Sequence, residues 1–192
     1  MVGARAVFVL LHPDYYTSQP WEIVWFWQGG LNAVGGILGA LLGLSVYAIL
    51  TSKNFWYLGD EVAIPAAIVA FSCWTGCLVD GCAYGMQAPL GPLTTPLTDM
   101  FGGVTSRWPT QATGALASAI AFAGLTLLKG RKLQPGFLLC TSLSLISASM
   151  FALSFTRADP SLTISGMRLD TLGSATLLAL AVGAAIMRFR NT

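Results

Sequence analysis

The chain has 192 residues, of which 55% are hydrophobic and 9% charged, against roughly 25% charged in an average soluble domain. That balance excludes an ordinary water-soluble globule, and a net charge of +2 spread over separate clusters excludes an electrostatic case for nucleic acid. The ionisable residues gather in short clusters between long uncharged stretches, the pattern of spans and loops in a single transmembrane domain over residues 1–192.

In chain order, residues 1–11 hold one arginine, Arg5, and an apolar run over 6–11 that is too short to span and has no cleavage site after it. An aromatic segment follows, with Tyr15, Tyr16, Trp21, Trp25 and Trp27, and with Trp56, Tyr57 and Trp108 these residues read as interfacial anchors. A bilayer needs about 20 apolar residues of helix. Five windows meet that need or nearly do, at residues 31–52, 62–79, 108–128, 133–156 and 171–187. The first carries Gly35, Gly39 and Gly43, four apart, beside Gly36 and Ala40, a small-residue face that lets another helix or a membrane-protein subunit approach closely. Gly114 with Ser118, and Ala179 with Gly183, repeat the device in the third and fifth windows.

The second window contains Cys73 and Cys77, which share a helix face and read as packing elements. With Cys82 and Cys140 they form no CxxC pair, and the only histidine, His12, is remote in sequence, so neither a metal site nor a cofactor is expected. Residues 80–107 contain Pro89, Pro92 and Pro96 and cannot be one regular helix; a loop of this length is functional or disordered. The fold class is therefore all-α, a polytopic integral membrane protein of about five transmembrane helices with irregular loops facing outward. Six of the ten basic residues, Lys53, Lys129, Arg131, Lys132, Arg188 and Arg190, fall on one side of this arrangement, and the positive-inside rule makes that side cytoplasmic.

Four stretches in order resemble the prolipoprotein diacylglyceryl transferase family. They are Asp14-Tyr15-Tyr16 through Pro20-Trp21-Glu22-Ile23 to Trp27-Gln28-Gly29-Gly30-Leu31 and Gly35-Gly36; Gly76-Cys77-Leu78-Val79-Asp80-Gly81-Cys82-Ala83-Tyr84-Gly85; Arg107-Trp108-Pro109-Thr110-Gln111; and Pro135-Gly136 through Phe155-Thr156-Arg157 to Asp159-Pro160. The resemblance implies a multi-pass protein of the bacterial cytoplasmic (inner) membrane, similar to the C-terminal part of that family. Its enzymes move a diacylglyceryl group from phosphatidylglycerol to the cysteine thiol of a lipoprotein precursor, in lipoprotein biosynthesis. That chemistry calls for a base to take the thiol proton and for cationic support of the departing phosphate.

The sequence departs from the family's pattern at those groups. The family histidine corresponds to Val34, the arginine of the signature helix to Trp74, and a later arginine and glutamate to Met150 and Ser154. The signature's asparagine and glutamate positions hold Cys77 and Cys82, its second asparagine is Asp80, and the resemblance leads us to expect that about two helices preceding the first stretch in full-length members are missing here. What remains for binding a phospholipid headgroup is Gln28, Asp80, Arg107, Gln111 and Arg157. An arginine grips phosphate bidentately; the competing role is snorkelling, or pairing with Asp99 and Asp159. The expectation is a catalytically degenerate pseudoenzyme that binds a phosphatidylglycerol-like lipid, serves as an accessory subunit of a larger membrane assembly, or does both. An active transferase is the alternative. A small transporter is the outside reading, since no window carries an internal charge of the kind ion pathways place there.

Overall fold

A computed structural model of the chain describes residues 1–190, so the last two residues of the expected domain lie outside the described residues. Two compact units arise, Met1–Leu58 and the remainder from Gly59 onward. The first contains helices α1 (Val2–Leu11) and α2 (Pro13–Ser18), two short 3-10 turns (Pro20–Val24 and Phe26–Gln28) and α3 (Ala33–Leu50). Helix α4 (Phe55–Asp80) begins in the first unit and runs through the second, which continues with a hairpin of β1 (Thr95–Thr98) and β2 (Val104–Arg107), then α5 (Thr110–Lys129) and α6 (Phe137–Ser154). A two-residue ribbon of β3 (Thr163–Ile164) and β4 (Met167–Arg168) leads into α7 (Leu169–Phe189).

Helices α3 to α7 are long and apolar enough to cross a membrane, and they fall on the five windows of the sequence. The chain is a multi-pass membrane protein. Its side-chain distribution fits lipid rather than water: Leu42, Ile68, Leu116, Leu127 and Leu180 are exposed, while Ser118, Ser142, Ser147, Ser154 and Ser174 are buried. Lipid tails are as apolar as leucine, so apolar side chains gain nothing by leaving them, and close packing with interhelical hydrogen bonds must hold the helices together.

In the first unit that packing uses glycine. Helix α1 crosses α3 so closely that a Cβ on Gly39 would lie 2.9 Å from the Cα of Gly3, and Gly35 meets Val7 at a similar approach. The start of α3 is capped by Asn32, whose Oδ1 accepts the Gly35 N–H at 2.9 Å, as a good N-cap does. Gly43, one turn beyond Gly39, has no atom of its unit within 4 Å of such a Cβ.

In the second unit α4 presents Gly59, Ala63 and Ala67 along one face. Leu139 of α6 sits on Gly59, and Ala63 and Ala67 form a buried cluster with Leu125 and Leu138. Ser142 donates to the Ala63 carbonyl at 3.0 Å. The second sequence window starts at residue 62 because Asp60 and Glu61 interrupt the apolar run, yet α4 includes both. Each has a partner: the Asp60 carboxylate accepts the N–H groups of Gly136 (2.7 Å) and Leu139 (2.9 Å), capping α6 from another helix, and Glu61 pairs with Lys129 at 3.1 Å.

Candidate functional site

Helix α4 ends at Asp80 and the chain reverses at once, with Gly81 at φ +73 and Ala83 at φ +50. The reversal returns Cys82 to the last turn of the helix, where it forms a disulfide with Cys77 across a Cα separation of 4.6 Å, within the usual range. This corrects the reading of Cys77 as a packing element beside Cys73. Cys77 clips the helix end to the loop, and Cys73 is a free, exposed thiol. The pairing depends on a left-handed turn, which no spacing motif announces.

Beyond the clip, residues 84–88 run extended between two other segments. On one side Trp108 N–H donates to the Met86 carbonyl (3.1 Å) and Ala88 N–H to Ser106 (3.1 Å); on the other, Met86 N–H donates to Thr156 (2.8 Å) and Ala158 N–H to Tyr84 (2.9 Å). Gly85 therefore lies opposite Arg157, and Gln87 opposite Arg107. Three of the four sequence stretches meet on this backbone, far apart in the chain. Gly85 has no room for a side chain: a Cβ there would collide with the Trp108 carbonyl oxygen and lie 2.7 Å from Thr110 Oγ1. Thr110 in turn contacts Thr156 hydroxyl to hydroxyl at 3.0 Å.

Arg107 closes β2 and is buried, 3% exposed. Its guanidinium pairs with Asp99 at 2.7 Å, reaches the Gly85 carbonyl at 3.4 Å, and lies over the Tyr84 ring, 4.6 Å from its centroid. The pairing with Asp99 that the sequence offers for Arg107 is present. Gln111, in the first turn of α5, donates from Nε2 to the Cys82 carbonyl at 2.8 Å. Its Oε1, like Arg107 Nε, is buried with no partner among the described residues.

Arg157 follows α6 and forms a bidentate pair with Asp159, at 2.8 and 2.6 Å. Arg168 shares the same carboxylate at 3.2 Å, and Asp170 lies 3.7 Å from both guanidinium groups. The four charges cancel. Burial pushes the Arg157 guanidinium down, but the hydrogen bond to Asp159, then the charges of Asp159 and Asp170, outweigh it and hold the group above the ordinary arginine value. Arg168 was missed in the sequence because it sits among the polar residues of an ordinary loop. Its ribbon turn, Ser165 and Gly166 both at positive φ, is what returns it to Asp159.

Asp80 is exposed at the last residue of α4, a helix end that disfavours a carboxylate. Gln28 belongs to the first unit, exposed at the end of the second 3-10 turn. That unit has its own organiser, also missed: Arg5 of α1 donates to the carbonyls of Glu22, Ile23, Gly29 and Gly30, gathering the aromatic segment around one side chain. Trp74 lies with its indole against Gly114, leaving no space for a Cβ there. Ser154 accepts from Thr171 at 2.9 Å and donates to the Phe151 carbonyl at 2.6 Å, so that hydroxyl joins α6 to α7.

A family profile described as prolipoprotein diacylglyceryl transferase matches residues 1–187. A phosphatidylglycerol–prolipoprotein diacylglyceryl transferase of Dehalococcoides mccartyi is 31% identical, the match covering 100% of this chain and 73% of the relative. The enzyme of that name from Listeria welshimeri is 28% identical over 98% of this chain and 70% of the relative. That of Nitratidesulfovibrio vulgaris is 31% identical over 94% and 68%.

Proposed function

The chain belongs to the prolipoprotein diacylglyceryl transferase family, and from that premise we propose that it is a catalytically degenerate member. In this reading it holds an anionic phospholipid headgroup at its outer boundary and serves as an accessory subunit in a bacterial inner membrane. The observation that carries the reading is that Val34, Trp74 and Met150 stand where the resemblance puts the family's base and phosphate-binding groups. None takes a proton or offers charge to a phosphate. Trp74 is seated against Gly114, and Cys77 and Cys82 are consumed in a disulfide. A thiol attacks as its thiolate, and a transition state that loses one strong electrostatic contact is typically slowed roughly 100-fold or more.

The headgroup would rest on the second unit's outer end. Arg157 is the more accessible cation, its side chain 21% exposed against 4% for Arg107, and a phosphate would share it with Asp159 and Asp170. Gln111, with Nε2 committed to Cys82, keeps an acceptor oxygen for a glycerol hydroxyl, and Asp80 adds a carboxylate acceptor. A partly desolvated guanidinium holds phosphate more firmly than an exposed one.

Native mass spectrometry tests this with wild type, Arg107→Lys and Arg157→Lys, each offered phosphatidylglycerol and phosphatidylserine. Preferential retention of phosphatidylglycerol by wild type, weakened in Arg157→Lys, is expected. Equal retention of both lipids, unchanged in either variant, defeats the lipid site. The second reading, an active transferase, is favoured by the names of relatives that match nearly the whole chain. Purified protein with phosphatidylglycerol and a lipobox peptide decides between them: no thioether product is expected, and robust turnover lost on changing Asp80 or Arg157 establishes the enzyme instead.

A further inference from the structure

The β1–β2 hairpin carries a feature that the headgroup site does not use. Its strands pair from Thr95 with Arg107 to Thr98 with Val104, and residues 99–103 form the tip. Met100, Phe101 and Val104 are 53%, 76% and 63% exposed, an apolar surface with no charged residue in it. Asp99, the only ionisable group of the tip, is turned inward: one carboxylate oxygen pairs with Arg107 at 2.7 Å, and the other accepts the N–H groups of Phe101 (2.9 Å) and Gly103 (2.8 Å). Asp99 N–H donates to the Gly103 carbonyl, and Gly102 N–H to that of Asp99, both at 3.0 Å. The tip has thus satisfied much of its own polar backbone and neutralised its charge, which lowers the cost of leaving water.

Its position decides what it faces. A Cβ on Gly81 would lie 2.8 Å from the Asp99 carbonyl oxygen and 3.2 Å from the Met100 nitrogen, so the tip rests on the first residue beyond the membrane-spanning helix α4. The tip is thus packed against the end of the helix. Val79, two residues before Gly81 and in the last turn of α4, is 91% exposed. Met100 and Phe101 are exposed apolar residues in the segment packed on that helix end.

We propose that the β1–β2 hairpin is an interfacial anchor whose Met100–Phe101 tip inserts into the headgroup and upper acyl region of the leaflet at this end of α4. The occupant is lipid because the exposed apolar tip packs on the first residue beyond a membrane span and lacks any charge that would select a protein partner. The anchor also holds Arg107, through Asp99, at the level of the headgroups.

The test attaches a nitroxide at Phe101→Cys, and separately at Met100→Cys, in full-length protein carrying Cys73→Ala and Cys140→Ala with the Cys77–Cys82 disulfide intact. Gly91→Cys, on the exposed part of the same loop, is the reference. In nanodiscs of phosphatidylglycerol and phosphatidylethanolamine, collision with oxygen and with a water-soluble nickel chelate is measured by power saturation. The expected result is a ratio of oxygen to nickel accessibility several-fold higher at 100 and 101 than at 91. A ratio equal to that at 91 means the tip stands in water, and low accessibility to both reagents means that protein covers it; either result overturns the anchor. If one labelled variant fails to yield disulfide-bonded, monodisperse protein, the other position decides.

Discussion

At the scale of single residues, Arg107 and Gly85 are the positions where a small change should tell most. Arg107 and Asp99 are both largely buried, with side chains 4% and 14% exposed, and removing one member of such a pair strands the other charge. Arg107→Ala is expected to destabilise the protein by about 3–5 kcal/mol, while Arg107→Ala with Asp99→Ala should recover part of that loss. Thermal unfolding in detergent of the two singles and the double reads the coupling, and strictly additive losses would show that the pair carries nothing. Gly85→Ala places a methyl group against a backbone carbonyl rather than a side chain that could swing away. An overpacking cost of about 1–3 kcal/mol is expected from the same melt, with Gly183→Ala, where nothing lies within 4 Å, as the silent comparison.

At the scale of elements, the clip at the end of α4 and the cap at the start of α6 each tie a helix terminus to a distant segment. The Cys77–Cys82 bridge closes a very short loop, so the chain-entropy account allows roughly 2 kcal/mol for it. Reduction, or Cys82→Ser, should lower the melting temperature modestly and raise hydrogen exchange across residues 81–88, because the Gln111 bond to the Cys82 carbonyl depends on that turn. Unchanged exchange there would mean the turn holds without its bridge. Asp60 receives two backbone N–H groups at the start of α6, where a negative charge also meets the positive end of the helix dipole. Asp60→Asn keeps the shape but loses the charge and one acceptor, and a loss of about 1–3 kcal/mol is expected in the melt. Asp60→Glu, with its carboxylate displaced, should not restore it.

For the whole molecule, the positive-inside rule predicts the turn at 129–132 in the cytoplasm and residues 80–107 outside. A disulfide in that outer segment suits an oxidising compartment. Single cysteines at Gly130 and Gly91, in protein lacking Cys73, should react with an impermeant maleimide from opposite faces; labelling of Gly130→Cys only from outside would invert the arrangement. The five spans were legible in the sequence because lipid imposes a length and an apolar composition on any helix that crosses it, and both are local properties of the chain. The family was legible for a related reason: Tyr84-Gly85, Arg107 through Gln111, and Phe155 through Arg157 stand in order at span boundaries. What tertiary structure alone decided is the use to which those residues are put. Whether Arg107 and Arg157 stand free or bind Asp99 and Asp159, whether Cys77 packs or bridges, and whether residues 80–107 wander or form a hairpin all depend on positive-φ turns at Gly81, Ala83 and Gly166 and on backbone pairing between residues 84–88, 106–108 and 156–158. Those are long-range contacts, and a one-dimensional pattern of hydropathy and charge carries no term for them.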